Sequence, residues 1–121
     1  MKRFEAYQNC DLLFIAGEAS GDEHAGQIVS QLRLSHPRLK IAALGGRHLH
    51  DAGAFMLEDL TAHSAVGLWE VLKKLPTFLS LIGETVRWIA FNRPKRVVFV
   101  DFVGFNLEVA KRLYEKKISL K

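Results

Sequence analysis

Short apolar runs alternate with helical patterns along this chain. Two apolar runs, 12–16 and 39–44, each end at a glycine, and a third, 96–101, is rich in valine. All three runs predict strands, and the run 12–16 predicts a strand buried on both faces, as in a parallel sheet. The segment 55–64 fits either a short strand or an extended loop.

Helical periodicity fills the segments between these strands. Apolar residues at steps of three and four predict a helix from Asp22 to about Leu34, with Asp22 as its N-cap. Four further helices are predicted, over 47–52, 65–74, 76–92 and 105–117. This alternation of strands and helices predicts one Rossmann-like α/β domain of three layers, with a parallel sheet between two layers of helices.

Composition narrows the class of protein. The chain has 121 residues, 49% of them hydrophobic and 25% charged, which is the balance of one globular domain and not of a disordered segment. The sequence contains no run of about 18 apolar residues, so no membrane-spanning helix is predicted. Glu5, Asn9 and Asp11 interrupt the apolar stretch that a secretory signal needs. The single cysteine, Cys10, excludes an internal disulfide and fits a reducing cytoplasm.

Charge and histidine content suggest no specialised partner. Seventeen Lys and Arg against thirteen Asp and Glu give a net charge of +4, a mild preference for anionic partners, and we predict no nucleic-acid binding. The histidines lack the spacing of a metal site, so no bound metal is predicted. The four concerned are His24, His48, His50 and His63.

Ligands of parallel α/β domains bind beyond the carboxyl ends of the strands, so the residues after each predicted strand are candidates for a site. The loop GEASGD, 17–22, follows the first strand. Its glycines permit a tight turn and a close ligand approach, and Ser20 can donate to a phosphate or sugar oxygen. The loop matches neither the dinucleotide nor the P-loop fingerprint, and the carboxylates of Glu18 and Asp22 favour a hydroxyl-rich ligand over a bare phosphate. An ordinary strand-to-helix turn explains the same residues, and both interpretations remain open.

The other two strand ends carry fewer candidates. Gly45 and Gly46 follow the second strand, where they form a turn or allow close approach of a ligand. No acidic residue stands there to hold a ribose, which disfavours a nicotinamide-dependent oxidoreductase. Asp101 ends the third strand, where a carboxylate can serve as a general base or simply cap the following turn.

The segment 66–82 is more apolar than a pair of surface helices needs. Lys73, Lys74 and Arg87 accompany its apolar side chains, a combination typical of contact with an anionic membrane surface or with acyl chains. Core packing is the alternative. The residues concerned are Trp69, Val71, Leu72, Leu75, Phe78 and Leu79.

Four blocks of sequence together resemble the amino-terminal part of the lipid-A-disaccharide synthase family. They occur in the family's order and spacing and cover nearly the whole chain. The blocks are GEASGD at 17–22, the Gly45-Gly46 turn, AVGLWEVLKKLP at 65–76 and VDFVGFNLEVAKRL at 100–113.

The resemblance implies a glycosyltransferase with two Rossmann-like domains, the GT-B type. Residues 1–121 would be part of the amino-terminal domain, with the UDP-sugar-binding domain absent. The implied reaction joins UDP-2,3-diacylglucosamine to 2,3-diacylglucosamine 1-phosphate and yields the lipid A disaccharide and UDP, without a metal or cofactor. The implied location is cytoplasmic, peripheral on the inner membrane.

The resemblance also implies roles for particular residues. Asp101 matches the proposed catalytic base of the family. Val103 and Gly104 replace the proline and second aspartate of the family's D-x-P-D-F-N motif, which loosens the turn that aims Asp101. The implied substrate-binding residues are Gly17, Glu18, Ser20, Gly21, Asp22, Gly45, Gly46 and Asn106.

An inactive Rossmann-like fragment that binds lipid is the alternative function. In either case we expect the 121-residue chain alone to be inactive in sugar transfer, because such an enzyme must position both substrates. We also expect it to self-associate through uncovered sheet edges and helix faces.

Overall fold

The chain forms an α/β domain in which helices follow the strands of one sheet. The structure is a computed structural model, and it describes residues 4–63, 76–101 and 103–116. Its elements are β1 (Leu12–Ile15), α1 (Ala19–Ser35), β2 (Ile41–Gly45), α2 (Arg47–Asp51), β3 (Phe55–Asp59), a short 3-10 helix (Leu60–His63), α3 (Pro76–Asn92), β4 (Arg96–Phe99) and α4 (Val103–Glu115).

The four strands are parallel and lie in the order β3-β2-β1-β4. Leu12 pairs with Ile41 of β2 on one side and with Arg96 of β4 on the other, so β1 is an interior strand. The predicted parallel sheet is confirmed, and the strand order is that of a Rossmann-like domain around its first strand.

Two layers of helices cover the sheet. Phe14 and Ala43 point to the face where α1 and α2 supply Val29 and Leu49. On the opposite face, the side chains of β1 and β2 pack against α3 and α4. The buried members of that second cluster include Leu13, Ile15, Leu44, Leu81, Ile82, Ile89, Phe105 and Val109. Both faces of the sheet are therefore apolar, which explains why the strands read as continuous apolar runs.

Two expectations about the elements change in detail. The ambiguous segment 55–64 begins with strand β3 and continues into the 3-10 helix. The expectation of Asp22 as the N-cap of the first helix is wrong, because α1 begins at Ala19 with Glu18 in the N-cap position. The helix predicted over 65–74 lies outside the described residues.

Within the described part of the chain, none of the helices combines the length and apolar character required to cross a membrane.

Candidate active site

The carboxyl ends of β1 and β4 bring Asp101 next to the GEASGD loop. The N–H of Val100 donates to the carbonyl of Ile15 at 2.9 Å, which continues the pairing with β1 one residue past the end of β4. Asp101 follows, partly buried, and its Oδ1 accepts the backbone N–H of Gly17 at 2.7 Å and that of Glu18 at 3.2 Å. Glu18, in the N-cap position of α1, makes no side-chain capping hydrogen bond. The carboxylate of Asp101 instead places a negative charge at the start of that helix, where the helix dipole favours it.

The second oxygen of Asp101 lies against Gly21. A Cβ atom added to Gly21 would be 1.8 Å from Oδ2 and 2.3 Å from Cγ, so no side chain fits there while the carboxylate keeps its place. Within the described residues, Oδ2 receives no hydrogen bond of the kind that holds Oδ1. One oxygen of Asp101 is thus anchored, and the other has no hydrogen-bond donor among the described residues.

Asn106 holds the backbone of Asp101 from the first turns of α4. Its Nδ2 donates to the carbonyl oxygen of Asp101, and its side chain is buried, with 7% of the residue exposed. The Oδ1 of Asn106 has no hydrogen-bond partner among the described residues. Asn106 was predicted near the substrate, and the structure places it behind Asp101.

Asp22 joins the first strand end to the second. It is 2% exposed, and its carboxylate accepts the backbone N–H groups of Gly46 at 2.7 Å, His48 at 2.8 Å and Leu49 at 3.2 Å. Its Oδ2 is also 3.1 Å from Nδ1 of His48. Asp22 therefore caps α2 from within α1, a role that the sequence did not indicate.

Gly45 and Gly46 leave no room for side chains in this arrangement. A Cβ on Gly45 would be 2.4 Å from Cδ1 of Leu49, and a Cβ on Gly46 would be 2.7 Å from Oγ1 of Thr61 and 2.9 Å from Oδ2 of Asp22. The two glycines allow Asp22 to approach the turn. Their packing favours the turn interpretation given above for this pair.

Comparison with known proteins supplies the family. Residues 12–121 match the family Lipid-A-disaccharide synthetase. This chain belongs to that family.

Among curated relatives, lipid-A-disaccharide synthase 1 of Legionella pneumophila (strain Paris) is 37% identical over 110 residues, which are 91% of this chain and 28% of the relative. The enzyme of Myxococcus xanthus (strain DK1622) is 37% identical over 102 residues, 84% of this chain and 27% of the relative. That of Coxiella burnetii (strain RSA 331 / Henzerling II) is 34% identical over 113 residues, 93% of this chain and 30% of the relative. The chain thus spans less than a third of the length of these relatives. No solved structure matches it.

The remaining residues predicted from the resemblance to lipid-A-disaccharide synthases differ in their exposure to solvent. Glu18 and Ser20 are exposed, whereas Gly17, which donates to Asp101, is buried. A shallow cavity of about 210 Å³ adjoins Asp101 and Asn106 and is completed by side chains of β4 and α4. A larger cavity of about 310 Å³, between the amino-terminal segment and α3, includes Arg87 and none of the residues predicted to bind substrate. No group of three or more His, Cys, Asp or Glu within 4–63, 76–101 and 103–116 is placed to hold a metal ion.

The apolar segment predicted to contact lipid is described only at its end. Trp69, Val71, Leu72 and Leu75 lie outside the described residues. Phe78 is 7% exposed and packs edge-to-face on Phe105, with ring centroids 5.7 Å apart, so it follows the core-packing alternative. Leu79 is 51% exposed and keeps the predicted lipid contact open.

Proposed function

We propose that this chain is the acceptor-side part of a lipid-A-disaccharide synthase, with Asp101 as its general base. The substrates would be UDP-2,3-diacylglucosamine and 2,3-diacylglucosamine 1-phosphate, and the products would be the lipid A disaccharide and UDP. The observation that carries the proposal is the carboxylate of Asp101 at the carboxyl end of β4, anchored through one oxygen to the amides of Gly17 and Glu18. Ligands of parallel α/β domains bind at this edge of the sheet.

In the proposed reaction, the hydroxyl of the acceptor sugar loses its proton to the carboxylate of Asp101. Its oxygen forms the new bond to C1 of the UDP-linked sugar while the bond from C1 to the UDP oxygen breaks, and UDP leaves with that electron pair. Glu18 and Ser20 are exposed on the same side of the sheet and are the proposed contacts for sugar hydroxyl groups. Gly17, buried next to Asp101, would form part of the floor of the site.

A second domain would hold the UDP-sugar in this proposal. The matching relatives are more than three times as long as the region they share with this chain, which leaves room for such a domain in them. Because transfer requires both substrates in one geometry, we propose that residues 1–121 alone are inactive.

Replacing Asp101 tests the base. We expect a chimera, in which residues 12–121 replace the matching part of the Legionella pneumophila (strain Paris) enzyme, to transfer the sugar. Asp101→Ala in that chimera should lower kcat by at least about 100-fold, the lower range for loss of a general base, without lowering the melting temperature by more than a few degrees. Asp51→Ala, an exposed aspartate on α2, is the matched control and should leave kcat unchanged. An inactive chimera, or near-normal turnover by Asp101→Ala, would contradict the proposal.

We also propose peripheral contact with the cytoplasmic side of the inner membrane. The exposed Leu79, at the start of α3, supports it, since it continues the apolar segment of the sequence. The 121-residue chain should sediment with anionic phosphatidylglycerol vesicles, and Leu79→Ser should weaken this more than Leu34→Ser, a 79% exposed leucine on α1. Equal loss in both variants would contradict the contact. Lipid binding by the chain together with an inactive chimera would favour the alternative function, a lipid-binding fragment without catalysis.

A further inference from the structure

We propose that Gly21 and Asn106 are positioning residues for Asp101, and that they leave Oδ2 as the oxygen that takes the proton of the attacking hydroxyl. This inference rests on the proposed function, because it names the residues that aim the proposed base. Both residues were expected to bind substrate, and the structure places both against Asp101.

The two oxygens of Asp101 are not equivalent. Oδ1 accepts the backbone N–H groups of Gly17 and Glu18, which immediately precede a 17-residue helix, and hydrogen bonds to a carboxylate are stronger than those between neutral groups. A general base needs a lone pair that a substrate hydroxyl can reach at hydrogen-bond distance. Since Oδ1 is already bound twice, Oδ2 is the oxygen that can receive the proton.

The Asp101 carboxylate, and not the backbone conformation of Gly21, explains why position 21 is a glycine. It lies inside α1 and is not among the glycines with positive φ, so its conformation suits any residue. Alanine is intrinsically preferred to glycine within a helix. The contact that excludes a side chain is Oδ2 of Asp101, 1.8 Å from an added Cβ. A methyl group at this position would therefore push the carboxylate out of place while favouring the helix.

Asn106 holds the backbone carbonyl group of Asp101. Its Nδ2 donates to the carbonyl of Asp101 from a buried position, while its Oδ1 has no partner among the described residues. The Nδ2 donor is thus the part of the Asn106 amide that has a hydrogen-bond partner among the described residues. Asn106→Asp keeps the shape of the side chain, removes that donor and sets a carboxylate oxygen against a carbonyl oxygen.

The chimera described above tests the roles of Gly21 and Asn106 in catalysis. Gly21→Ala should lower kcat by about 100-fold, the effect of misplacing a catalytic group by roughly 1 Å, with KM changed less than about threefold and an equal or higher melting temperature. Asn106→Asp should lower kcat by at least about 10-fold with the same small change in KM. Gly83→Ala is the matched control, because a Cβ on this glycine of α3 meets nothing within 4 Å, and it should leave kcat unchanged. A kcat within twofold of the parent for Gly21→Ala, or a raised KM with unchanged kcat, would overturn the inference.

Amide NMR of the 121-residue chain gives a readout that does not depend on activity. Asp101→Ala should shift the amide proton signals of Gly17 and Glu18, because both lose their acceptor. Gly21→Ala should shift the same two signals in the same direction, whereas Gly83→Ala should leave them unmoved. Unmoved signals in Gly21→Ala would overturn the positioning role, even if Asp101 proves to be the base. Shifted signals with an active Asp101→Ala chimera would support the positioning geometry and reject the proposed function.

Discussion

Asp22 and Asp101 both accept backbone N–H groups from distant residues, and the sequence predicted only the position of Asp101 at the carboxyl end of a strand. Asp101 ends an apolar strand, and the sheet's topology then fixes its place at the carboxyl edge. Asp22 stands at a position that suits a helix N-cap, yet its partners are 24 to 27 residues away along the chain. A local pattern carries no information about a contact of that separation, so the cap of α2 was missed.

Removing the Asp22 carboxylate should destabilise the domain strongly. Asp22→Ala would leave the N–H groups of Gly46, His48 and Leu49 without their acceptor at a buried turn. We expect a loss of roughly 2–4 kcal/mol in the free energy of unfolding, measured by urea denaturation. Asp51→Ala is the control, because its side chain is 61% exposed and pairs with exposed Arg47, and it should change stability by less than about 0.5 kcal/mol. Equal effects of the two substitutions would contradict the capping role.

At the scale of elements, the strands with unbroken apolar runs were predicted, and features that depend on distant residues were not. β1 and β2 are buried on both faces, and their apolar runs place them to within two residues. β3 is partly exposed at the edge of the sheet, with a register shift in its pairing with β2, so its sequence pattern stays ambiguous. The start of α1 was placed three residues late because Asp101, and no residue of the helix, accepts the N–H groups that precede it.

Asp11 links the amino ends of β1, β2 and β4, and its contacts predict that the stability of the domain depends on pH. Oδ2 of Asp11 accepts the N–H of Lys40 at 2.9 Å, and Oδ1 is 3.1 Å from Nζ of Lys95. The N–H of Lys40 first, and then the Lys95 ammonium, hold the pKa of Asp11 below its ordinary value. A lowered folded-state pKa contributes stability above the unfolded-state pKa, near 3.9, and that contribution is lost as the pH falls through the folded-state value.

Comparison of the parent chain with Asp11→Asn measures this contribution. At pH 7 the substitution should lower the free energy of unfolding by about 1 kcal/mol, because the Lys40 and Lys95 contacts lose a charged acceptor. The gap between the two proteins should close as the pH falls below about 4. A gap that stays constant over that range in urea denaturation would show that the ionised form of Asp11 does not supply the stability.

For the whole molecule, the three-layer arrangement could be read from the order of apolar runs and helices, but its exposed surfaces could not. An apolar face remains where α4 borders β4, and it consists of Phe99, Leu107, Ala110 and Tyr114. Leu107 and Tyr114 are 66% and 85% exposed, on the side of α4 away from Phe105, Val109 and Leu113. β4 pairs with β1 alone in the described sheet, and no other described strand pairs with its outer edge, which lies beside this face.

We predict that two copies of the 121-residue chain associate through this face, with their β4 edges side by side. An apolar stripe next to an open strand edge offers side-chain burial and backbone hydrogen bonds together, and a two-fold arrangement satisfies both copies equally. Light scattering should give a dimer or larger species for the parent chain. Leu107→Glu with Tyr114→Glu should shift it towards the monomer by placing like charges against each other, while Leu34→Glu, on the exposed side of α1, should not. A clean monomer for the parent chain, or equal dissociation in both variants, would contradict an interface at this face.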